Sequence, residues 1–177
     1  MKKRLAKLIT LMLALVMVIG AVAGLNVFAD GEAADVPAVN EALTVTNANL
    51  VYDEEIKIAF TVDGFADGET AGVVVYANEG DTEYAFATSD LQTDKNGVKY
   101  FTTYGFAAKD FDVTIYVAAA KFVDGEVVEV GAKVAYSVTQ YANDRLTNDA
   151  ANLTEEQANL YEKIIAYNNA ANAVLPQ

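Results

Sequence analysis

Between residues 44 and 136 the sequence alternates short apolar runs with turn residues, and this pattern most limits how the chain can fold. The clearest run, residues 56–62, alternates apolar with polar or small residues, as a strand with one buried face does. Seven strands are predicted, near residues 44–51, 56–62, 73–76, 84–86, 98–103, 113–122 and 127–136. Asp124-Gly125, between two apolar runs, is typical of a tight hairpin. Regular turns with no helical pattern between the strands predict a mainly β fold over residues 41–136, an immunoglobulin-like antiparallel β-sandwich.

The hydrophobic period changes to that of a helix at Ser137. Ser137 and Gln140 have the spacing of a capping box, and Thr154 and Gln157 repeat it. After the second cap, apolar residues recur at helical spacing, at Leu160, Ile164, Tyr167, Ala171 and Val174. We therefore predict that residues 137–175 form a two-helix hairpin packed on the sandwich.

Residues 1–29 have the three parts of a secretory signal peptide: a basic start, an apolar middle and a small-residue end. Cleavage sites fit after Ala23 and after Ala29, and we favour the second because the chain becomes acidic there. The alternative is a retained membrane anchor, since residues 8–25 approach the length of a membrane span. The expected product is a secreted or loosely surface-associated protein that starts with a flexible acidic leader, residues 30–40.

The composition limits the partners and the chemistry of the chain. The net charge of −13 disfavours nucleic acid and anionic membranes as partners, which leaves an extracellular protein or a glycan. The sequence contains neither His nor Cys, which excludes Ser-His and Cys-His nucleophile pairs and zinc hydrolase sites. We expect no cofactor and no catalysis. The first alternative to a binding or structural module is a carbohydrate-binding protein accessory to polysaccharide degradation. The second is a small hydrolase with two catalytic carboxylates, because acidic residues are abundant.

One acidic turn has the composition of a calcium loop. Asp63, Asp67 and Glu69 alternate with glycines and offer the oxygen ligands that calcium prefers. Such turns are also common on protein surfaces without a metal. We expect a plain surface turn here and keep calcium as the alternative.

The aromatic residues suggest where a sugar ring could stack. Tyr104, Phe106 and Phe111 flank a predicted loop and are the expected exposed aromatics. Four other tyrosines fall within predicted strands and are assigned to cross-strand or core packing, namely Tyr76, Tyr84, Tyr100 and Tyr116.

The C-terminal half of the chain resembles a known module. The resemblance is carried by residues 100–111, by Tyr136-Ser137-Val138-Thr139-Gln140-Tyr141-Ala142, and by residues 164–172. It is similar to an Ig-like module with "YSVxxYA" and "LLNYGAAAQ" helices in secreted and surface proteins of Gram-positive bacteria. The family's glycine in the last helix is replaced by Asn168. The resemblance implies a non-catalytic binding or structural role outside the cell.

Overall fold

The computed structural model describes residues 36–175, which form a mainly β structure of two sheets followed by a pair of helices. The predicted signal peptide and most of the predicted leader lie outside the described residues. The strands are β1 (Ala38–Val39), β2 (Thr44–Tyr52), β3 (Ile56–Asp63), β4 (Thr70–Tyr76), β5 (Phe86–Thr88), β6 (Gln92–Thr93), β7 (Lys99–Thr102), β8 (Ile115–Val123), β9 (Glu126–Val130) and β10 (Val134–Tyr136). The helices are α1 (Val138–Asn148) and α2 (Glu155–Val174). None of these helices is long and apolar enough to cross a membrane.

The strands are divided between a six-stranded and a four-stranded sheet. The first has the order β1-β9-β8-β4-β5, with β10 also paired to β8, and the second has the order β2-β3-β7-β6. Only the pairing of β1 with β9 is parallel among the described ladders. A common core lies between the sheets, with contributions from both: Leu50, Ile58, Phe60 and Val62 from one, and Val73, Val117 and Ala119 from the other.

The tight hairpin predicted at Asp124-Gly125 is confirmed. It joins β8 to β9, and both of its residues have positive φ, 52° at Asp124 and 89° at Gly125. Such a turn matches the twist of the strands that it connects.

The predicted last strand, residues 127–136, is interrupted and forms both β9 and β10, which pair with successive parts of β8. The interruption begins at Gly131, where the backbone carbonyl of Leu43 lies so close that a Cβ would collide with it. Directly before this break, Ala38–Val39 of the predicted flexible leader pairs with Glu129 and Val130 of β9 as β1. Strands as short as β1 and β6 contain no hydrophobic period, and the sequence pattern did not predict them.

The two predicted helices and their caps are present. The Ser137 hydroxyl accepts a hydrogen bond from the Gln140 amide at 3.1 Å. At α2 the capping box is reciprocal: Thr154 Oγ1 accepts from the Gln157 amide, and Gln157 Oε1 accepts from the Thr154 amide. Four helical side chains join the core between the sheets, namely Val138, Ala142, Tyr161 and Ile164. The helix pair is therefore part of the same packed unit as the sheets.

The buried face of α2 differs from the predicted stripe. Tyr161, Ile164 and Asn168 are buried, whereas Leu160 and Tyr167 are exposed. The reason is a polar contact: the Asn168 amide donates to the Ala108 carbonyl at 2.8 Å and to Asp112 Oδ1 at 3.4 Å. A buried asparagine with hydrogen-bond partners takes the place of an apolar residue, and hydrophobic periodicity does not detect it.

Candidate functional site

The structure separates the three aromatic residues predicted to be exposed. Tyr104 is 59% exposed. Phe106 packs partly buried against the core, with its amide bonded to the Ile56 carbonyl at 2.9 Å. Phe111 is only 3% exposed, so its prediction as a surface aromatic is wrong. Its ring lies edge-on to Tyr167 of α2, and its carbonyl accepts from the Thr139 amide of α1, because the helix pair covers this part of the chain.

A second exposed tyrosine stands at the end of the β2–β3 hairpin. Tyr52, the last residue of β2, is 45% exposed and is followed by the acidic turn Asp53-Glu54-Glu55. Asp53 holds this turn, since its Oδ1 accepts from the Glu55 amide and its Oδ2 pairs with Lys57 Nζ, both at 2.9 Å. The turn and Lys57 line a shallow depression of about 540 Å³.

The loop that carries Tyr104 lies against this hairpin. Phe106 is bridged to Ile56 at the start of β3, and Ile56 is in turn paired with Tyr52. Gly105 rests directly on the Glu55 side chain, where a Cβ would collide with the carboxylate. The strand pairing thus places Tyr104 beside the acidic turn. We call Tyr52, Asp53, Glu54, Glu55 and Tyr104 the tyrosine–carboxylate surface.

The protonation states on this surface suit hydrogen bonding to a neutral polar ligand. The hydrogen bond from Lys57 lowers the pKa of Asp53, which keeps that carboxylate ionised and acceptor-only. Burial raises the pKa of Tyr52, as do Tyr161 and Tyr141 of the helix pair, and the Tyr52 hydroxyl, which shares a hydrogen bond with Tyr161, stays protonated. Exposed phenol rings offer flat apolar faces, and carboxylates accept hydrogen bonds from hydroxyl groups.

Four carboxyl groups have a pKa that differs in direction from that of a glycosidase general acid. In the described part of the chain, hydrogen bonds lower the pKa of each of them: Asp53, Glu69, Asp94 and Glu156. A glycosidase general acid needs a raised pKa so that it is protonated when it meets the substrate. These four carboxyl groups have the opposite shift.

The calcium candidates are engaged in other contacts. Glu69 Oε1 lies 2.5 Å from Lys121 Nζ, and Glu69 Oε2 accepts from the Ala66 amide at 2.9 Å. Asp63 Oδ1 accepts from the Gly64 amide at 2.7 Å, and Asp67 is exposed in the same turn. Within residues 36–175 no three acidic, His or Cys side chains converge as metal ligands would. In the structure this turn is a surface connection whose Glu69 pairs with Lys121.

The ion pair of Glu69 with Lys121 predicts acid sensitivity. Lys121 lowers the pKa of Glu69 below its ordinary value of 4.5, so the stabilisation is present above that value and is lost as the pH falls through the lowered pKa. We expect thermal unfolding to shift to lower temperature between about pH 5 and about pH 3. Glu69→Gln should reduce this acid shift, and Glu83→Gln, which replaces an exposed carboxylate elsewhere on the surface, is the control. An equal acid shift in the Glu69→Gln variant and the unmodified protein would contradict a role for this pair.

The remaining strand tyrosines are mostly packing residues, as predicted. Tyr76 and Tyr116 are cross-strand neighbours and, with Tyr84 and Phe122, belong to a second apolar cluster on the outer face of the six-stranded sheet. Lys133 Nζ lies 3.9 Å above the Tyr76 ring. The same ammonium donates to two carbonyls of the β4–β5 loop. These contacts occupy the Tyr76 ring face that a sugar would need.

The residues at the start of α1 that resemble the Ig-like surface module also pack against other residues of the domain. Tyr136 donates to Asp144 Oδ2 at 3.0 Å, and its ring lies edge-on to Tyr141. Tyr141 in turn contacts Tyr161 of α2, with ring centres 5.8 Å apart. This motif therefore joins the last strand to both helices.

Comparisons with protein-family models, curated proteins and solved structures found no match. The geometry of the tyrosine–carboxylate surface is therefore the basis for a functional proposal.

Proposed function

We propose that this protein is a secreted, non-catalytic binding module of the extracellular space or cell surface, and that it binds a glycan at the tyrosine–carboxylate surface. The observation that carries the proposal is the position of Tyr52 and Tyr104, two exposed rings beside three consecutive acidic residues. Most other aromatic residues with described contacts lie in the two apolar clusters or pack against them.

We further propose that the sheets form an immunoglobulin-like sandwich. The strand order β2-β3-β7-β6 corresponds to A-B-E-D, and β9-β8-β4-β5 corresponds to G-F-C-C′. These correspondences support the proposal, as does the resemblance to surface modules of Gram-positive bacteria. In this correspondence the β2–β3 turn is the A–B turn and the loop that carries Tyr104 is the E–F loop, so the proposed surface lies at the end opposite to the B–C, C′–C″ and F–G loops.

A neutral sugar fits this surface better than an anionic ligand. The acidic turn Asp53-Glu54-Glu55 adds to a chain of net charge −13, which repels phosphate and sulfate groups. Hydroxyl groups, by contrast, donate to carboxylates without charge repulsion, while the ring faces cover the apolar side of the sugar.

The test is a screen of the purified protein against neutral cell-envelope and plant polysaccharides, followed by calorimetry on the glycan that binds best. Tyr104→Ala should weaken binding about fivefold, since a stacked aromatic contributes on the order of 1 kcal/mol. Tyr52→Ala should weaken it similarly. Tyr167→Ala is the matched control, because Tyr167 is an exposed tyrosine on α2, outside this surface.

Two results would contradict the proposal. One is the absence of binding to every neutral glycan in the screen. The other is a glycan whose affinity is unchanged by both Tyr104→Ala and Tyr52→Ala.

A further inference from the structure

The helix pair anchors the side chain of Tyr52. The Tyr52 residue is 45% exposed, but its hydroxyl shares a hydrogen bond with Tyr161 of α2. Tyr161 is only 5% exposed and belongs to the core between the sheets. Because its hydroxyl bonds to a buried partner, Tyr52 presents its ring, and not its hydroxyl, to a ligand at the surface.

Tyr161 is itself fixed by contacts with α1. Its ring lies edge-on to Tyr141, with ring centres 5.8 Å apart and 67° between the ring planes. Its hydroxyl also shares hydrogen bonds with Tyr141 and with the Arg145 guanidinium. A phenol hydroxyl donates one hydrogen bond and accepts two, which matches its three partners, Tyr52, Tyr141 and Arg145. Tyr161 therefore cannot turn away from Tyr52 without losing its other hydrogen bonds.

We propose that Tyr161 is a positioning residue of the tyrosine–carboxylate surface, which it serves by fixing the Tyr52 ring in the orientation that stacks on a neutral sugar. This inference rests on the proposed function. A binding side chain that is free to rotate must be immobilised by its ligand, and this immobilisation weakens binding. The hydrogen bond to Tyr161 restricts Tyr52 before the ligand arrives. The helix pair thus contributes to binding without touching the sugar.

Two conservative variants remove this hydrogen bond and keep both rings, namely Tyr161→Phe and Tyr52→Phe. Each should raise the Kd of the neutral polysaccharide selected by the screen about threefold, as measured by calorimetry. The double variant should bind no more weakly than either single variant, because all three lack the same hydrogen bond. An effect of Tyr161 that does not act through Tyr52 would instead add to the effect of Tyr52→Phe.

Tyr136→Phe is the matched control. The Tyr136 hydroxyl donates to Asp144 Oδ2 at 3.0 Å, and the Tyr136 ring contacts Tyr141, so this hydroxyl belongs to the same tyrosine cluster but lies one ring further from Tyr52. Both Tyr136→Phe and Tyr161→Phe remove a hydrogen bond and should lower the temperature of thermal unfolding. Only Tyr161→Phe should change the Kd, which separates positioning from a loss of stability.

NMR relaxation tests the anchoring without any glycan. In protein labelled with ¹³C-tyrosine, relaxation of the Tyr52 side chain reports its motion on the picosecond to nanosecond timescale. Tyr161→Phe should make this side chain more mobile, and Tyr136→Phe should leave its mobility unchanged.

The outcomes separate this inference from the proposed function. A polysaccharide whose Kd depends on Tyr52→Ala but not on Tyr161→Phe would overturn the role of Tyr161 and leave the binding surface in place. Additive effects of Tyr52→Phe and Tyr161→Phe, or unchanged mobility of Tyr52 in Tyr161→Phe, would also overturn that role. A screen in which no neutral glycan binds would overturn the proposed function and this inference with it.

Discussion

Replacing Ile164 by alanine should lower the free energy of unfolding by about 2 to 4 kcal/mol, as truncation of a buried isoleucine does. Ile164 is 4% exposed and lies in the core between the sheets, although it belongs to α2. Loss of this buried side chain would therefore destabilise the whole domain. Chemical denaturation, followed by circular dichroism, measures it.

Leu160→Ala is the matched control for this prediction. Leu160 lies one turn earlier on α2 and belongs to the stripe predicted from the sequence, but it is 40% exposed. We expect an effect of about 0.5 kcal/mol, which is usual for a surface substitution. If Leu160→Ala and Ile164→Ala lowered the free energy of unfolding equally, the apolar stripe predicted from the sequence would be supported. The buried face of α2 seen in the structure would then be contradicted.

Phe60→Ala should have the largest effect of any single truncation, about 3 to 5 kcal/mol. Phe60 is the largest of the fully buried side chains, and it stands in β3 between Ala48 and Phe101. Its removal would leave a cavity where the two sheets meet. Thermal unfolding of the variant should occur at much lower temperature than that of the unmodified protein.

Tyr104→Ala serves as the control for Phe60→Ala, since it also removes an aromatic ring but from an exposed position. Its unfolding temperature should change little. A Phe60→Ala variant as stable as Tyr104→Ala would contradict a shared core between the sheets.

Much of the fold could be predicted from local pattern. The alternation in residues 56–62 predicted β3, and Asp124-Gly125 predicted the turn between β8 and β9. Ser137 and Thr154 predicted the helix starts, because a cap depends only on a few neighbouring residues. Where a structural feature is set by nearby residues, the sequence shows it directly.

Features set by distant contacts could not be predicted in this way. Phe111 is buried because both helices cover it, and Asn168 is buried because Ala108 and Asp112 provide acceptors some 60 residues earlier in the chain. The break at Gly131 depends on the backbone of Leu43. No pattern of neighbouring residues contains this information.

The candidate site was predicted only in part. Tyr104 was identified from its place beside a predicted loop, but Tyr52 was missed because the predicted strand ended at residue 51. A local indication did exist: a tyrosine directly before the acidic turn Asp53-Glu54-Glu55. The proximity of this turn to Tyr104 depends on the bridge between Ile56 and Phe106.

The most direct test of the proposed binding surface is an NMR titration of the isotope-labelled protein with the glycan selected by the screen. The amide signals of residues 52–57 and 104–106 should shift together and saturate at the affinity found by calorimetry. Signals of the outer cluster, such as Tyr76 and Tyr116, should stay unchanged. Shifts confined to the outer cluster, with none at Tyr52 or Tyr104, would contradict the account.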